Sequence, residues 1–461
     1  MANKGRDGDG VDSISSLPDE ILQHILSSLQ TATAIKTSTL SKRWRHVWSG
    51  TPSLHLILTR HDFKADSIDR TLALFKAPKM TSFHLYAGYH IKSPDINRSI
   101  EFAMLKNVEN MWLDIRSYNY NIPEFLYFSS TIKQLTLSLV NIPDMNVPIS
   151  SVYWTSLKKL SLFCSNFSEE CMAKILSGCP ILETLILEVS VDLKVIDLSK
   201  SLSLRTLEAT IRVPGTQIVA PHIRCLRLTS IVYLCTLVDV SSLTEATLEV
   251  SVQSNEILTD GFPQVIIQEM VGMLQNVETL TFGPNLLKIL SVAELYHLPF
   301  PSFKVKDLTL ETTISQDVIP GLVRVLQNSH LLTKLTVQPK LVNGTLLGKS
   351  LDDLLDVHGL MNSDQRWRKE ARVFPNILNW DVEPKHVVSF IKLMLKTALI
   401  TLGGPKMKIV LQEDGQRIRF LAKTVEEYAE AIRWVHLLEN ERLGSLNNSL
   451  LRTSKLQFDQ F

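Results

Sequence analysis

The sequence predicts an α/β chain in which a short three-helix module at the N-terminus leads into an irregular solenoid of parallel strands with helical or extended returns. Three observations carry this. Residues 12–56 hold a dense apolar stripe at helical spacing; an apolar triplet at positions i, i+3 and i+5 recurs ten times between Val108 and Val337; and glycine, proline and asparagine fall between the copies. A triplet of that spacing is too short to bury itself, so each copy needs its neighbours in a stack.

The N-terminal module comes first. Pro18 sits at a first helical turn, where a missing N–H costs nothing. Leu17, Ile21, Ile25 and Leu29 then recur every four residues, with Leu22 and Leu26 beside them, which makes a broad apolar stripe on one helix. Thr33 to Leu40 supplies a second short helix. Ser41 can cap a third, which carries Trp44, Val47 and Trp48 on one side. About forty residues cannot form a sizeable core, and an exposed apolar surface left over on such a module marks a partner site.

The residues Leu17-Pro18-Asp19-Glu20-Ile21-Leu22, Ile25-Leu26-Ser27, Thr37-Ser38, Leu40-Ser41-Lys42-Arg43-Trp44-Arg45 and Trp48 together resemble the F-box in its plant form. The resemblance implies docking on a Skp-type adaptor, and through it on a cullin–RING ubiquitin ligase. The adaptor-binding residues it implies are Leu17, Pro18, Ile21, Leu22, Ile25, Leu26, Leu40, Trp44, Val47 and Trp48. Two departures bear on adaptor affinity: Gln30 stands where that family usually has proline, and Thr31-Ala32-Thr33-Ala34 replaces a more polar, charged turn.

The repeats follow. The clearest copies are Leu157/Leu160/Leu162 and Leu182/Leu185/Leu187, and starting positions step by 19 to 34 residues from Val108 to Leu332. This is a loosely kept leucine-rich-repeat grammar: one short strand per copy, then a returning segment. Ser168 to Leu176 reads as a capped amphipathic return helix, stopped at Gly178 and Pro180. The short steps of 19 and 20 residues after Leu204 leave room only for an extended or one-turn return. The longer steps beyond residue 250 suggest inserted helices at Val265–Leu274 and Val318–Gln327. Ser67-Ile68-Asp69-Arg70-Thr71-Leu72, Ser82-Phe83-His84-Leu85 and Leu176-Ser177-Gly178-Cys179-Pro180, set around these repeats, resemble the plant F-box proteins that end in an FBD-like segment. Val373-Phe374-Pro375-Asn376 and Val387–Lys396 resemble that segment itself. The expected layout is a disordered tail at 1–11, F-box at 12–56, helical linker and solenoid cap at 57–107, repeats at 108–340, a divergent FBD-like segment at 341–400, and a C-terminal region with a mobile tail at 401–461.

Composition narrows the function. The 461 residues carry 48 Lys+Arg against 47 Asp+Glu, a formal net charge of +1, which argues against a dedicated nucleic-acid binder. Five sparse cysteines fit free thiols in a reducing compartment. The polar, glycine-rich start is no signal peptide, and Val387–Leu402 is interrupted by Lys392 and Lys396, so no membrane partner is expected. Cytoplasm, nucleus or both remain. No phosphate loop, CxxC pair or nucleophile elbow is present. His84 and His90 lack a third ligand at metal spacing and read as surface residues. The expectation is therefore a non-catalytic protein with no cofactor.

In each repeat, positions i+2, i+4 and i+6 point away from the core, onto the face that repeat proteins use for binding. They supply acids at Asp114, Glu188, Glu208, Glu245, Glu249, Asp307 and Glu311, and bases at Lys159, Arg227 and Lys334. Trp112, Phe163 and Ile186 lie on the same face. Trp112, Asp114, Phe163, Ile186, Glu188, Glu208 and Glu249 are thus the substrate-binding candidates, for a protein segment with basic residues flanking an apolar plug. The function expected from the resemblance is substrate recognition in an SCF-type (Skp–cullin–F-box) ubiquitin ligase. The alternative is a non-catalytic interaction scaffold with a vestigial F-box. A receptor holding an anionic inositol phosphate in a basic pocket, as in the plant hormone receptors of this architecture, fits the acidic bias poorly.

Overall fold

The computed structural model describes residues 14–339, apart from 15, 60–64, 118–119, 140–151, 165–167, 190–192, 213–214, 232–234, 252–269, 296, 313–314 and 316–317, together with Leu393, 407–413 and 416–422. The chain divides into two compact units, Met1–Glu208 and Ala209–Phe461.

The first unit opens with helices α1 (Asp19–Ser27) and α2 (Thr31–Lys36), a 3-10 turn at Thr37–Thr39 and a longer 3-10 helix at Trp44–Gly50. Six parallel strands follow in one sheet: β1 (Ser53–Leu58), β2 (Ser82–Ala87), β3 (Asn110–Ile115), β5 (Gln134–Leu139), β7 (Lys159–Cys164) and β8 (Thr184–Val189). The short strands β4 (Phe128–Ser129) and β6 (Tyr153–Trp154) pair with each other on the return side. The register stacks the apolar triplets into columns. Leu54, Phe83, Met111, Leu135, Leu160 and Leu185 lie side by side, as do Leu56, Leu85, Leu113, Leu137, Leu162 and Leu187. All twelve side chains are buried. This alternation of buried and partly exposed positions is that of a strand covered on one face.

Returns are built as their sequences dictate. Helix α5 (Glu169–Ser177) starts at Ser168, whose hydroxyl accepts from the Cys171 amide at 3.2 Å. Behind β3, Tyr127 stacks on Trp154 at 5.6 Å, and the Trp154 indole N–H donates to the Leu126 carbonyl at 2.7 Å. Cys179 is buried beside this layer, and burial pushes its thiol up to about 12, so it packs as a small hydrophobe.

The segment 57–107, expected as helical linker and cap, carries sheet as well. Strand β2 lies in it between helices α3 (Ala65–Leu74) and α4 (Ser93–Leu105), and β1 begins before it at Ser53. Met80, Phe83 and Leu85 keep the repeat spacing, whereas β1 has Thr51 where the first apolar residue would stand. Its hydroxyl instead bonds the Trp48 and Ser53 carbonyls.

After β9 (Val195–Asp197), strand β10 (Thr206–Ile211) carries the boundary between units. In the second unit, β12 (Cys225–Ile231), β14 (Glu245–Ser251), β15 (Thr279–Phe282), β16 (Asp307–Thr312), β17 (Lys334–Pro339) and β18 (Met407–Glu413) run parallel, and β19 (Gln416–Ala422) pairs antiparallel with β18 at the end of the sheet. The region beyond 401 thus contributes two strands. The short repeat steps return through extended strands β11 (Thr216–Val219) and β13 (Cys235–Asp239), which pair with each other. Helix Ile319–Gln327 forms as expected, and a second helix, Pro284–Leu295, packs on it. Most of Val265–Leu274, the FBD-like segment apart from Leu393, the tail 1–11, and a further amphipathic pattern at Thr424–Asn440 lie outside the described residues.

Candidate adaptor surface and substrate face

The N-terminal module divides its apolar stripe in two. Leu22, Leu26, Ala34, Trp44, Val47 and Trp48 form a small core, with Leu17 and Ile35 packed against it. One step round helix α1, Ile21 and Ile25 are exposed at 47% and 45%, with Leu29 beyond them; Leu40, in the turn after α2, is 66% exposed. Pro18 is exposed at the helix start. Five of the ten implied adaptor residues, Leu22, Leu26, Trp44, Val47 and Trp48, are therefore internal to the module in this conformation. The apolar side chains that the module leaves exposed include Ile21, Ile25, Leu29, Leu40 and Ile14, and Pro18 is exposed with them. Arg43 fixes the helix start: its guanidinium donates to the Leu17 carbonyl and pairs with Asp19 at 2.9 Å. Gln30 precedes α2 with φ −58°, a value the proline ring also enforces.

The strand face of the first unit has two kinds of ground. On β1 to β3 the register brings His55, His84 and Trp112 into one row and Ile57, Tyr86 and Asp114 into the next. The His55 and His84 rings are 5.3 Å apart, and His84 meets the edge of Trp112 at 5.3 Å. Burial holds both imidazoles below the usual 6.5, and for His84 the neighbouring His55 adds to this. Arg116 lies 5.6 Å over the Tyr86 ring and pairs with Asp114 at 3.4 Å, and Ser138 donates to the same carboxylate at 3.3 Å. Trp112 is left 47% exposed. On β7 and β8 the face carries Phe163 opposite Glu188, with Ile186 opposite Ser161, and Glu208 follows on β10 at half-burial. Six of the seven substrate candidates thus stand on this unit's strand face. His55, Ile57, His84 and Tyr86, which the sequence reading did not place on this face, stand on it as well, with Arg116 just beyond β3. Extending the triplet back to Met80/Phe83/Leu85 would have put His84 and Tyr86 on it.

Glu249, the seventh candidate, is half-buried and belongs to the other unit. It lies on β14 in the second unit, where its Oε2 is out of solvent. A Cβ built on Gly283 would collide with this carboxylate, so the missing side chain at 283 is what lets it fit. Gly283 leads directly into helix Pro284–Leu295, and its carbonyl accepts from Leu287 at 3.2 Å. The Glu249 carboxylate thus lies against the start of that helix. Nearby acids are also spoken for: Glu245 pairs with Arg227 at 3.9 Å and Asp307 with Lys334 at 3.1 Å.

Among the described residues no three His, Cys, Asp or Glu side chains converge as a metal site, and no helix is long and apolar enough to cross a membrane. Residues 14–56 match the F-box domain model, and residues 96–249 match the model described as FBD-associated F-box protein At5g56370, LRR repeats. The putative F-box/LRR-repeat protein At3g18150 of Arabidopsis thaliana is 48% identical over 420 residues, covering 89% of each chain. This chain belongs to the F-box/leucine-rich-repeat proteins. A second Arabidopsis member, F-box/LRR-repeat protein At3g03360, is 49% identical over 403 residues, 84% of this chain and 82% of its own length. F-box/LRR-repeat proteins are in general non-catalytic adaptor-type proteins, and the F-box in general is a module for Skp-type adaptors.

Proposed function

We propose that this F-box/LRR-repeat protein is the substrate-recognition subunit of an SCF-type E3 ubiquitin ligase, working in the cytoplasm, the nucleus or both. The F-box docks a Skp-type adaptor and through it a cullin–RING ligase; the repeats hold a protein substrate. The ligase chemistry belongs to other subunits, and this chain contributes effective concentration by keeping a substrate lysine near the charged transfer enzyme. The observation that supports the docking half is the exposed row of Ile21, Ile25 and Leu29, with Leu40 also exposed, on a module whose core is formed by other residues. An apolar strip that adds nothing to the core is a partner surface.

The test is co-purification of the full chain with a Skp-type adaptor and a cullin, beside an Ile21→Asp/Ile25→Asp variant. Both side chains are exposed, so the variant should keep the wild-type circular dichroism while losing the adaptor. A wild type that captures no adaptor would instead favour the non-catalytic scaffold with a vestigial F-box. That alternative draws on Gln30; yet Gln30 keeps a proline-like φ, so the helix junction is undisturbed by the departure.

A further inference from the structure

We propose that the rim at the N-terminal ends of β7, β8 and β10 docks an acidic segment of a partner protein. Two carboxylates about three residues apart meet Lys159 and Arg205, and an apolar side chain of the same segment rests on Ile181 and Leu202. The inference goes beyond the ligase-receptor reading and does not depend on it. It starts from the residues that lead into the strands. Lys158, Glu183 and Arg205 stand in line, because the Glu183 amide donates to the Lys158 carbonyl and the Arg205 amide to the Glu183 carbonyl, each at 2.9 Å. Lys159 opens β7 opposite Thr184. All four charged side chains are exposed. Lys158 meets Glu183 at 2.8 Å, so that pair is neutral. The Arg205 guanidinium donates to neutral acceptors, the Leu202 and Leu204 carbonyls, at 2.7 and 3.0 Å. Among the described residues neither Arg205 nor Lys159 pairs with a carboxylate, so two positive charges remain open on the rim.

The apolar half of the patch lies in the loops that enter β8 and β10. The Ser203 hydroxyl donates to the Pro180 carbonyl at 3.0 Å, which holds the two loops side by side; Ile181 follows Pro180 and Leu202 precedes Ser203. Leu182 and Leu204 go into the core, whereas Leu202 is 66% exposed and Ile181 39%. Open cations beside open aliphatic side chains select a segment that carries both acids and an apolar residue. Distance sets the spacing. Two strand intervals separate β7 from β10, about 10 Å at ~4.8 Å per strand, which an extended chain spans in about three residues. Glu183 lies between the two cations. A nucleic-acid strand carries a phosphate at every nucleotide and would set one against that carboxylate, whereas a peptide can pass a neutral residue over it.

The experiment pans a displayed library of random dodecapeptides on the full chain, with depletion on the Lys159→Glu chain. One selected peptide is then titrated by fluorescence polarisation against wild type, Lys159→Glu, Arg205→Gln, Leu202→Ser and Glu183→Gln, each shown by circular dichroism to be folded. The expected consensus holds two Asp or Glu residues about three positions apart with a large apolar residue beside one of them. Kd should rise about tenfold in Lys159→Glu, which reverses a charge, and about threefold in Arg205→Gln and in Leu202→Ser. It should fall about twofold in Glu183→Gln, which removes the competing acid and which a merely structural ion pair would not improve. No acidic enrichment, a peptide indifferent to both Lys159→Glu and Leu202→Ser, or a thymidine oligonucleotide that binds with the same dependence on Lys159 and Arg205 overturns the proposal.

Discussion

Leu22 and Ile25 lie within one turn of helix α1 and differ in everything that surrounds them. Leu22 is fully buried among Leu26, Trp44 and Trp48, whereas Ile25 is 45% exposed. Leu22→Ala should cost about 2–5 kcal/mol in urea unfolding through the lost burial and the cavity. Ile25→Ala should stay within about 0.5 kcal/mol of wild type and show its effect in adaptor capture instead. Gly283 gives a third kind of residue. A methyl group there meets the Glu249 carboxylate, so Gly283→Ala should destabilise the chain by about 1–3 kcal/mol, and Gly283→Ala with Glu249→Ala should recover part of that loss. The His55–His84 pair predicts a pH dependence. Both folded pKa values lie below 6.5 because burial disfavours the charged ring. Between 6.5 and those lowered values the unfolded chain binds more protons than the folded one, so stability falls as the pH drops through that interval. The melting temperature should decline over it, and His84→Gln should flatten the decline.

Elements show how much of this was legible. The triplets gave the strands from Asn110 to Pro339 and which side of each is buried, because a period of two leaves no choice once one face is covered. The Ser168 cap gave helix α5. Strand β1 was hidden because Thr51 breaks the triplet and a hydroxyl bonded to two carbonyls does the work of an apolar side chain there. Helix Pro284–Leu295 was hidden for a different reason: it is buried on nearly all sides, so it has no polar face to give it a period. The candidate face was half legible. Trp112 and Glu188 follow from register alone, but the row of His55, His84 and Trp112 needed β1 and β2 in the sheet, and the close approach of Glu249 to Gly283 needed the packing between β14 and the following helix. The position after the triplet's first residue carries a charge ladder in several repeats that apolar counting overlooks: Glu109 bonds Lys133 (and Lys79 from the preceding repeat), Lys158 meets Glu183 at 2.8 Å, and Lys306 meets Glu278 at 2.8 Å. At the F-box junction, Gln30 already has the φ of proline. Gln30→Pro should therefore raise stability by about 0.4–1 kcal/mol through the unfolded state, measurable as a higher urea midpoint at unchanged slope.

Each compact unit has to deal with an open sheet edge, since an unpaired strand invites pairing with another chain. In the second unit the described sheet ends at β19, which pairs antiparallel with β18 and is itself the edge strand. The first unit uses the F-box: the His55 amide of β1 donates to the Thr31 hydroxyl on α2 at 2.8 Å, and the Ser53 hydroxyl donates to the Ser27 carbonyl at 2.8 Å. The adaptor module is thus also the cap of the repeat sheet, which explains why about forty residues with so small a core hold their shape. It also ties the two ends of the proposed function together, because the aromatic end of the strand face starts on the strand that the F-box covers. Thr31 is buried, so Thr31→Val removes the acceptor and leaves the His55 amide unmatched, a loss of about 1–3 kcal/mol. A chain started at Thr59 loses the cap and β1 together and exposes the β2 edge. Size-exclusion chromatography should find that truncation associated or aggregated and the Thr31→Val chain monodisperse but less stable. A monodisperse, fully folded truncation would separate the F-box from the repeats and end the capping argument.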